Sequence, residues 1–358
     1  LHTDEHDGDD DHDTLFGIDF PQLAAGSCIS GNTIPLSDQA AVEDEAAAWA
    51  TLWKEDSEYL GFCPSIEVPP PEALQLHEMR RVAMTFPEWT GLGGDNISPR
   101  AINRLSDRLV LSLCRILVAC ERTGRWPSAL ALVIIVLLPK SDGGRRPIGL
   151  FPTLIRLWMR ARTSISRRWE AAHNLPCLFG GAGKGAQRAA WQVAFRAESA
   201  ALCRDWYAQA LLDLVKAFEK IPHHHIVAAA IKHGYNLSVL RLSLASYRLP
   251  RALGIDGVYS RIVIAILGIT AGSGGATTEL RLLFIDVVTD ATGAWPTIDI
   301  VLYVDDLTIE ARSHDKATVE CTVAGATDRI VKHLELILDL EVSEKKAVTV
   351  GSNLSVAK

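Results

Sequence analysis

The sequence predicts an α+β protein. Its 358 residues are 48% hydrophobic, which is enough for two or more packed subdomains. Beyond residue 206, short segments with strand character alternate with longer segments of helical character. Helices interleaved with strands on one face of a sheet are typical of a ferredoxin-like arrangement, so we expect that architecture in the second half of the chain.

Three features are expected before residue 90. Seven Asp and Glu residues with no Lys or Arg fall within the first 13 positions, which predicts an acidic, disordered tail over residues 1–43. A helical extension is expected over residues 44–89, with a helix at 44–60 followed by a linker rich in proline. The residues expected on the buried face of that helix are Trp49, Leu52, Trp53 and Leu60.

A long helix is expected to begin at Ser98, because serine is a good helix cap and Pro99 suits the first helical position. Gly124 and Pro127 would end this helix. The residues expected on its buried face are Ile102, Leu105, Leu109, Leu113, Ile116 and Leu117. Those expected on its exposed face are Arg104, Arg108, Arg115 and Arg122.

Positive charge is concentrated between residues 100 and 204. This region holds 18 Lys and Arg against 5 Asp and Glu, an excess of 13, although the whole chain has a formal charge of −7. Such a concentration is typical of a protein that binds a phosphate backbone. Solvated helix faces would account for part of it.

A basic hairpin is expected after residue 131. Residues 131–138 have strand character, and the following Asp142-Gly143-Gly144 segment favours a tight turn into a second strand. Lys140 and Arg146 would then lie near the tip of the hairpin. This pattern is compatible with a phosphate site and with a basic surface turn.

A strand is expected to end at Asp213 and to turn directly into a helix. The elements expected after it are two helices, a strand at 261–268, a helix at 277–290, a hairpin at 298–312, a helix at 315–340 and a strand at 346–350. In a ferredoxin-like arrangement this order brings Asp213 beside the tip of the hairpin.

That hairpin carries adjacent carboxylates in Tyr303-Val304-Asp305-Asp306. Two like charges within an apolar strand segment cost several kcal/mol unless they are neutralised, and a divalent metal ion is the usual partner. An exposed hairpin tip is the alternative. Asp213, 92 residues earlier in the chain, would add a third carboxylate and favours the metal site.

Together these blocks resemble reverse transcriptases, in particular those of non-LTR (LINE-like) retrotransposons. The family has an Asp followed five residues later by an aromatic residue, as in Asp213 and Lys216-Ala217-Phe218, and later a Tyr/Phe-x-Asp-Asp hairpin. The resemblance spans residues 90–350. It implies a right-hand polymerase with fingers over 90–206, interleaved with a ferredoxin-like palm over 207–358, and a thumb that is absent or truncated.

The resemblance also implies a metal site. Asp213 and Asp305, with Asp306 beside them and the Leu214 carbonyl assisting, would bind two Mg²⁺ ions, or Mn²⁺ in their place. Lys345 or Lys346 would supply a later lysine that assists proton transfer. The implied partners are an RNA template, a DNA primer and dNTPs.

The same resemblance implies the nucleotide contacts. Lys140 and Arg146 would hold the incoming triphosphate, and Phe218 would exclude a ribose 2′-OH. Gly272 would allow the backbone to approach the nascent base pair. Two positions depart from the family pattern: Ala271 replaces a glutamine that contacts the nucleotide, and Glu219 replaces a common aspartate.

Three alternatives stay open. The chain is compatible with a catalytically impaired element remnant that only binds RNA. An RNA-dependent RNA polymerase is disfavoured by Phe218 and by Val304, where that class commonly has glycine. A group II intron or retron origin is not separated from a LINE-like one.

Two glycine- and histidine-rich segments predict no site. Residues 180–185 lack the spacing of a phosphate-binding loop. His223, His224 and His225 follow Pro222 at a helix start, where adjacent side chains are expected to point to different faces and not to share a metal ion.

The seven cysteines form no C-x-x-C pair, which favours an intracellular, reducing compartment, nuclear or cytoplasmic. No membrane span is expected. Oligomeric state is left open.

Overall fold

A computed structural model describes residues 39–54, 70–141, 143–181 and 183–357. Most of the expected acidic tail lies outside these ranges, and so does the linker with Leu60 and Pro64. The architecture is α+β, as predicted. None of the helices in the described ranges is long and apolar enough to cross a membrane.

The elements are numbered in chain order. The helices are α1 (Gln39–Leu52), α2 (Leu76–Met84), α3 (Asp107–Thr123), α4 (Thr153–Ala172), α5 (Ala186–Cys203), α6 (Ala217–Lys220), α7 (His223–Lys232), α8 (Leu237–Tyr247), α9 (Ala276–Ala294), α10 (Lys316–Leu336) and α11 (Leu354–Ala357). The strands are β1 (Val133–Pro139), β2 (Arg145–Leu150), β3 (Trp206–Leu212), β4 (Arg251–Ile255), β5 (Val258–Val263), β6 (Asp299–Tyr303), β7 (Asp306–Ser313) and β8 (Val348–Gly351).

A four-stranded antiparallel sheet, called here the second sheet, has the order β6-β7-β3-β8. Helices lie between β3 and β6 and between β7 and β8, so the strands follow the split β-α-β pattern of ferredoxin-like folds. α10 packs on β3 and β7, and α9 packs against α10. Apolar side chains on the covered face, such as Leu212, Ile300 and Ile309, join the main core.

The first sheet has the order β2-β1-β4-β5, with β1 parallel to β4. Here one expectation is wrong. The strand expected at 261–268 is β5, which ends at Val263 and pairs with β4 in the first sheet. Asp256-Gly257 joins the two strands with positive φ at both residues, the geometry of the favoured two-residue hairpin turn. An Asp-Gly pair between two apolar runs is therefore the signal in the sequence that predicts this hairpin.

The helix expected from Ser98 starts later. Pro99–Arg104 forms a 3₁₀ segment, and Leu105 then adopts an extended conformation. The cap of α3 is Ser106, whose hydroxyl accepts a hydrogen bond from the Leu109 amide. This later start rotates the buried face. The fully buried apolar residues of α3 are Val110, Cys114, Leu117 and Cys120.

Two of the expected core positions on this helix are therefore wrong. Leu109 is 52% exposed and Ile116 is also exposed. Leu117 and, in the 3₁₀ segment, Ile102 are buried as predicted. All four arginines expected on the outer face, Arg104, Arg108, Arg115 and Arg122, are exposed as predicted.

Several cations of the basic region support the fold. Arg162 on α4 donates two hydrogen bonds to the buried Glu121 on α3, which also accepts one from Trp158. Arg196 on α5 forms ion pairs with Asp299 and with the buried Glu310. Buried carboxylates require such partners. Only part of the positive charge is thus presented to solvent.

Candidate active site

The β6–β7 hairpin places two carboxylates at one end of the second sheet. Tyr303 pairs with Asp306, which leaves Val304 and Asp305 as a two-residue turn. Val304 has a φ of +59°, which is a strained conformation for a β-branched residue. Strain of about 1–3 kcal/mol persists only where the surroundings hold it, and it is concentrated at functional sites.

Asp213 reaches the same end of the sheet. β3 pairs antiparallel with β7, and Leu212 lies opposite Leu307. The next positions along this register are Asp213 and Asp306, so the three aspartates expected at one site are at the same end of the second sheet. Burial, followed by the charges of Asp306, Asp213 and Glu219, raises the pKa of Asp305 to about 6. Burial and the charge of Asp213 raise the pKa of Asp306.

The strand end that carries Asp213 is held by the segment after α10. The Ser343 amide donates to the Asp213 carbonyl over 2.8 Å, and the Val215 amide donates to the Glu341 carbonyl over 2.9 Å. The ammonium of Lys346 lies 3.0 Å from Oδ2 of Asp213. Leu214 is buried and forms a bridge with Val342. The backbone from Asp213 to Val215 is thereby fixed.

Phe218 lies in the short helix α6, which begins four residues after Asp213. Its ring is partly buried against the main core. Its carbonyl accepts a hydrogen bond of 2.6 Å from the Ile269 amide. A Cβ atom on Gly268 would come within 2.5 Å of the Glu219 carbonyl oxygen, so only glycine permits this contact. The segment 268–269 therefore fixes the backbone of Phe218.

Glu219 is a fourth carboxylate at the site. Burial raises its pKa, and the positive charges of Lys140, Lys216 and Arg146 oppose that rise. Its charge in turn raises the pKa of Asp305. In the sequence Glu219 stands out only as a departure from a family pattern. Its position six residues after Asp213 is the feature of the sequence that could have indicated that it belongs to the site.

The basic hairpin expected near residue 140 is formed by β1 and β2. Its turn is closed by a hydrogen bond from the Lys140 amide to the Gly144 carbonyl, and Leu138 lies opposite Arg146. Lys140 and Arg146 are both exposed. Their charges lower the pKa of Glu219, against the effect of its burial. The adjacent Arg145 instead pairs with Glu45 on α1, over 3.1 Å.

Gly272 has a structural role of its own. Its φ is +102°, and a Cβ atom would lie 2.5 Å from the Gly149 carbonyl oxygen. The Gly149 amide donates to the Ala271 carbonyl over 2.7 Å. The loop that contains Gly272 is thus packed against β2. This contact requires glycine whether or not a nucleotide binds nearby.

The donor set fits a hard divalent cation. Asp213, Asp305 and Asp306 offer several oxygen atoms at the edge of an apolar core, and oxygen donors of this kind suit Mg²⁺ and Mn²⁺. Burial, together with the neighbouring carboxylates, raises the pKa values of Asp305 and Asp306 and so disfavours their charged forms. A bound cation would relieve that repulsion.

Comparison with known proteins adds little to this geometry. No family model matches the chain, and no curated protein matches its sequence. Among solved structures, the chain is similar to an apo telomerase from Candida tropicalis truncated from its C-terminal domain, with a TM-score of 0.48 and 11% identity. The similarity covers 70% of this chain and 56% of the telomerase chain, so it spans about half of that protein. It carries no argument about function, which rests on the residues described above.

Proposed function

We propose that this chain is the polymerase domain of an RNA-directed DNA polymerase, which extends a primer 3′-OH with dNTPs. The observation that carries the proposal is the convergence of Asp213, Asp305 and Asp306 at one end of the second sheet. The second sheet then corresponds to the palm, and the first sheet with its helices to the fingers. The partners would be an RNA template and a DNA primer.

The carboxylates would bind two Mg²⁺ ions, or Mn²⁺ in their place. Asp213 and Asp305 would provide the main ligands, with Asp306 and the Leu214 carbonyl beside them. When bound, two such ions lower the pKa of the attacking hydroxyl and stabilise the leaving pyrophosphate. The protein would hold the ligands in place through the strained turn at Val304 and the backbone contacts of Asp213.

The basic hairpin would hold the triphosphate. This is supported by the positive charges of Lys140 and Arg146, which oppose the rise in the pKa of Glu219. A triphosphate gains negative charge in the transition state, so two cations on the far side from the aspartates would stabilise it. Lys346, whose ammonium lies 3.0 Å from Asp213, would assist proton transfer.

Preference for DNA synthesis is assigned to Phe218. Its ring follows Asp213 by five residues, and its backbone is fixed by Ile269. A rigid aromatic side chain beneath the sugar would clash with a 2′-OH and accept a deoxyribose. This role separates the proposal from an RNA polymerase of similar architecture.

The template side of the site would include the exposed face of α5. Trp191 is 72% exposed and Phe195 is 69% exposed, one helical turn apart, and Arg188 is exposed beside them. The opposite face of α5 packs near Tyr303 through Ala189 and Val193. Aromatic side chains interleaved with cations bind single strands by stacking and by charge, which suits an RNA template near the catalytic hairpin.

Primer extension on an RNA template tests the proposal. The purified chain is supplied with Mg²⁺ and either dNTPs or rNTPs, beside Asp305→Asn and the remote control Asp328→Asn. We expect dNTP-dependent extension that is lost in Asp305→Asn and kept in the control. Extension with rNTPs instead would identify an RNA polymerase. RNA binding without any extension would identify a remnant that only binds RNA.

A further inference from the structure

Two adjacent histidines at the start of α7 lie together, contrary to expectation. His223 alone turns into the core, where its Nε2 lies 2.9 Å from the Gly268 carbonyl oxygen. Burial lowers the pKa of His223 to about 3, so this ring is neutral. The rings of His224 and His225 lie side by side, with their centroids 4.1 Å apart. The expectation that the three rings diverge therefore holds for His223 only.

A carboxylate from a distant part of the chain completes the cluster. Asp339 follows α10 in a loop, with a left-handed φ of +57°. Its Oδ2 lies 3.0 Å from Nε2 of His225. One ligand atom from each of His224, His225 and Asp339 lies within 4.8 Å of the other two. The two histidines are partly buried and Asp339 is exposed, so the cluster is open to solvent on one side.

We propose that His224, His225 and Asp339 form a binding site for a transition-metal ion of the Zn²⁺ class. Two imidazole nitrogens and one carboxylate suit Zn²⁺ and disfavour Mg²⁺, which prefers oxygen ligands. With metal–ligand distances of about 2.0–2.2 Å in tetrahedral geometry, ligand atoms lie about 3.4 Å apart. Nε2 of His225 and Oδ2 of Asp339 are 3.0 Å apart, and a ring nitrogen of His224 lies within 4.8 Å of both ligand atoms, so rotations of the side chains would complete the site. Water would occupy the fourth position.

The site would connect two segments that support the proposed active site. Asp339 precedes Glu341 and Ser343, whose backbone groups hydrogen-bond to Val215 and to Asp213, respectively. The Glu341 side chain also pairs with Lys220, at the end of α6, over 2.7 Å. A metal ion bridging α7 to Asp339 would restrain this loop. The ligands are distinct from the three aspartates, so the proposal stands whether or not the chain is a polymerase.

Equilibrium dialysis with Zn²⁺ tests the site. The full chain is used in excess Mg²⁺, which occupies carboxylate sites and leaves imidazole sites to Zn²⁺. The proteins compared are the parent, His225→Ala, the near-isosteric Asp339→Asn, and the control His77→Ala, which removes an exposed histidine elsewhere. The histidines near the amino terminus (His2, His6 and His12) are common to all four, so their contribution cancels.

We expect the parent and His77→Ala each to bind one Zn²⁺ ion with the same affinity. We expect His225→Ala and Asp339→Asn to bind this ion at least tenfold more weakly. We also expect Zn²⁺ to raise the Tm of the parent and not that of Asp339→Asn, because only the folded state presents the cluster. The metal-free Tm values show whether each variant is folded. Equal Zn²⁺ affinity in the parent and in a folded Asp339→Asn or His225→Ala would overturn the proposal.

Discussion

The carboxyl group of Asp305 is harder to ionise in the folded protein than in an unfolded chain. Its pKa is about 6, because it is largely buried and faces Asp306, Asp213 and Glu219. An unperturbed aspartate has a pKa of about 3.9. The folded state therefore binds more protons than the unfolded state between these two values. The contribution of Asp305 to the stability of the metal-free protein is therefore greatest below about pH 4, falls as pH rises from about 4 to 6, and stays lower above pH 6.

Replacing Asp305 with asparagine should stabilise the metal-free protein at neutral pH. The change removes a charge that folding disfavours and keeps the shape of the side chain. We expect the Tm in EDTA at pH 7.5 to rise by about 2 °C, with a smaller difference at pH 4.5. Differential scanning calorimetry of the parent, Asp305→Asn and Asp328→Asn would measure this. A lower Tm for Asp305→Asn at pH 7.5 would show that the carboxylate is stabilised by the protein itself.

A second prediction at the residue scale concerns the role of the Phe218 side chain in sugar selection. Replacing it with alanine should open space for a 2′-OH, and the preference for dNTPs over rNTPs should fall at least tenfold in kcat/KM. The loss of buried ring area near the core makes a check on folding necessary, and circular dichroism provides it. Tyr259→Ala, an exposed aromatic residue on β5, is the control. An unchanged preference in a folded Phe218→Ala would remove Phe218 from sugar selection.

At the scale of secondary-structure elements, the β1–β2 hairpin directs two neighbouring cations, Arg145 and Arg146, to opposite faces of β2. Arg145 pairs with Glu45 on α1, whereas the charge of Arg146 acts on Glu219. Successive side chains of a strand point to opposite faces, so adjacent arginines reach different surroundings. This arrangement provides a matched control within one strand.

Removal of the cations near the carboxylates should weaken dNTP binding. We expect Lys140→Ala and Arg146→Ala each to raise the KM for dNTPs about tenfold, because each loses a charge-assisted contact to the triphosphate. Arg145→Ala should leave KM within about twofold of the parent value. Steady-state primer extension with varied dNTP concentration gives these numbers. Equal effects of Arg145→Ala and Arg146→Ala would point to the general charge of the hairpin instead.

Over the whole molecule, charge is divided between an acidic amino-terminal segment and a basic middle. The formal charge is −7, yet residues 100–204 hold the excess of 13 positive charges. Two of these positive charges, those of Arg162 and Arg196, form ion pairs with buried carboxylates. The exposed remainder, which includes Arg188 and the outer face of α3, leaves a surface suited to a polyanion.

RNA binding should depend on the aromatic residues of α5. We expect Trp191→Ala and Phe195→Ala each to weaken binding of single-stranded RNA roughly fivefold, since stacking on one base contributes about 1 kcal/mol or more. Leu202→Ala, an exposed residue near the end of the same helix, should bind RNA like the parent. Fluorescence anisotropy at a fixed salt concentration measures all three. A similar loss in Leu202→Ala would assign the effect to the helix as a whole.

Features determined by residues close together in the sequence could be predicted, whereas contacts between residues far apart in the sequence could not. Asp213 and Asp305 were placed correctly at element ends, because each stands at a break in an apolar run. The start of α3 was misplaced, since Pro99 serves a 3₁₀ segment as well as it serves an α-helix. The meeting of His225 with Asp339 joins residues 114 positions apart, and no local pattern encodes that contact.

The order of the strands along the chain interleaves the two sheets into a single folding unit. The chain leaves the first sheet after β2, contributes β3 to the second, returns for β4 and β5, and only then supplies β6 to β8. Neither sheet is complete until the chain has been made beyond residue 258. A fragment that ends at residue 206 would expose the β1 edge and be prone to aggregation. Nascent chains would therefore complete the first sheet late, because β4 begins about 100 residues after the end of β2.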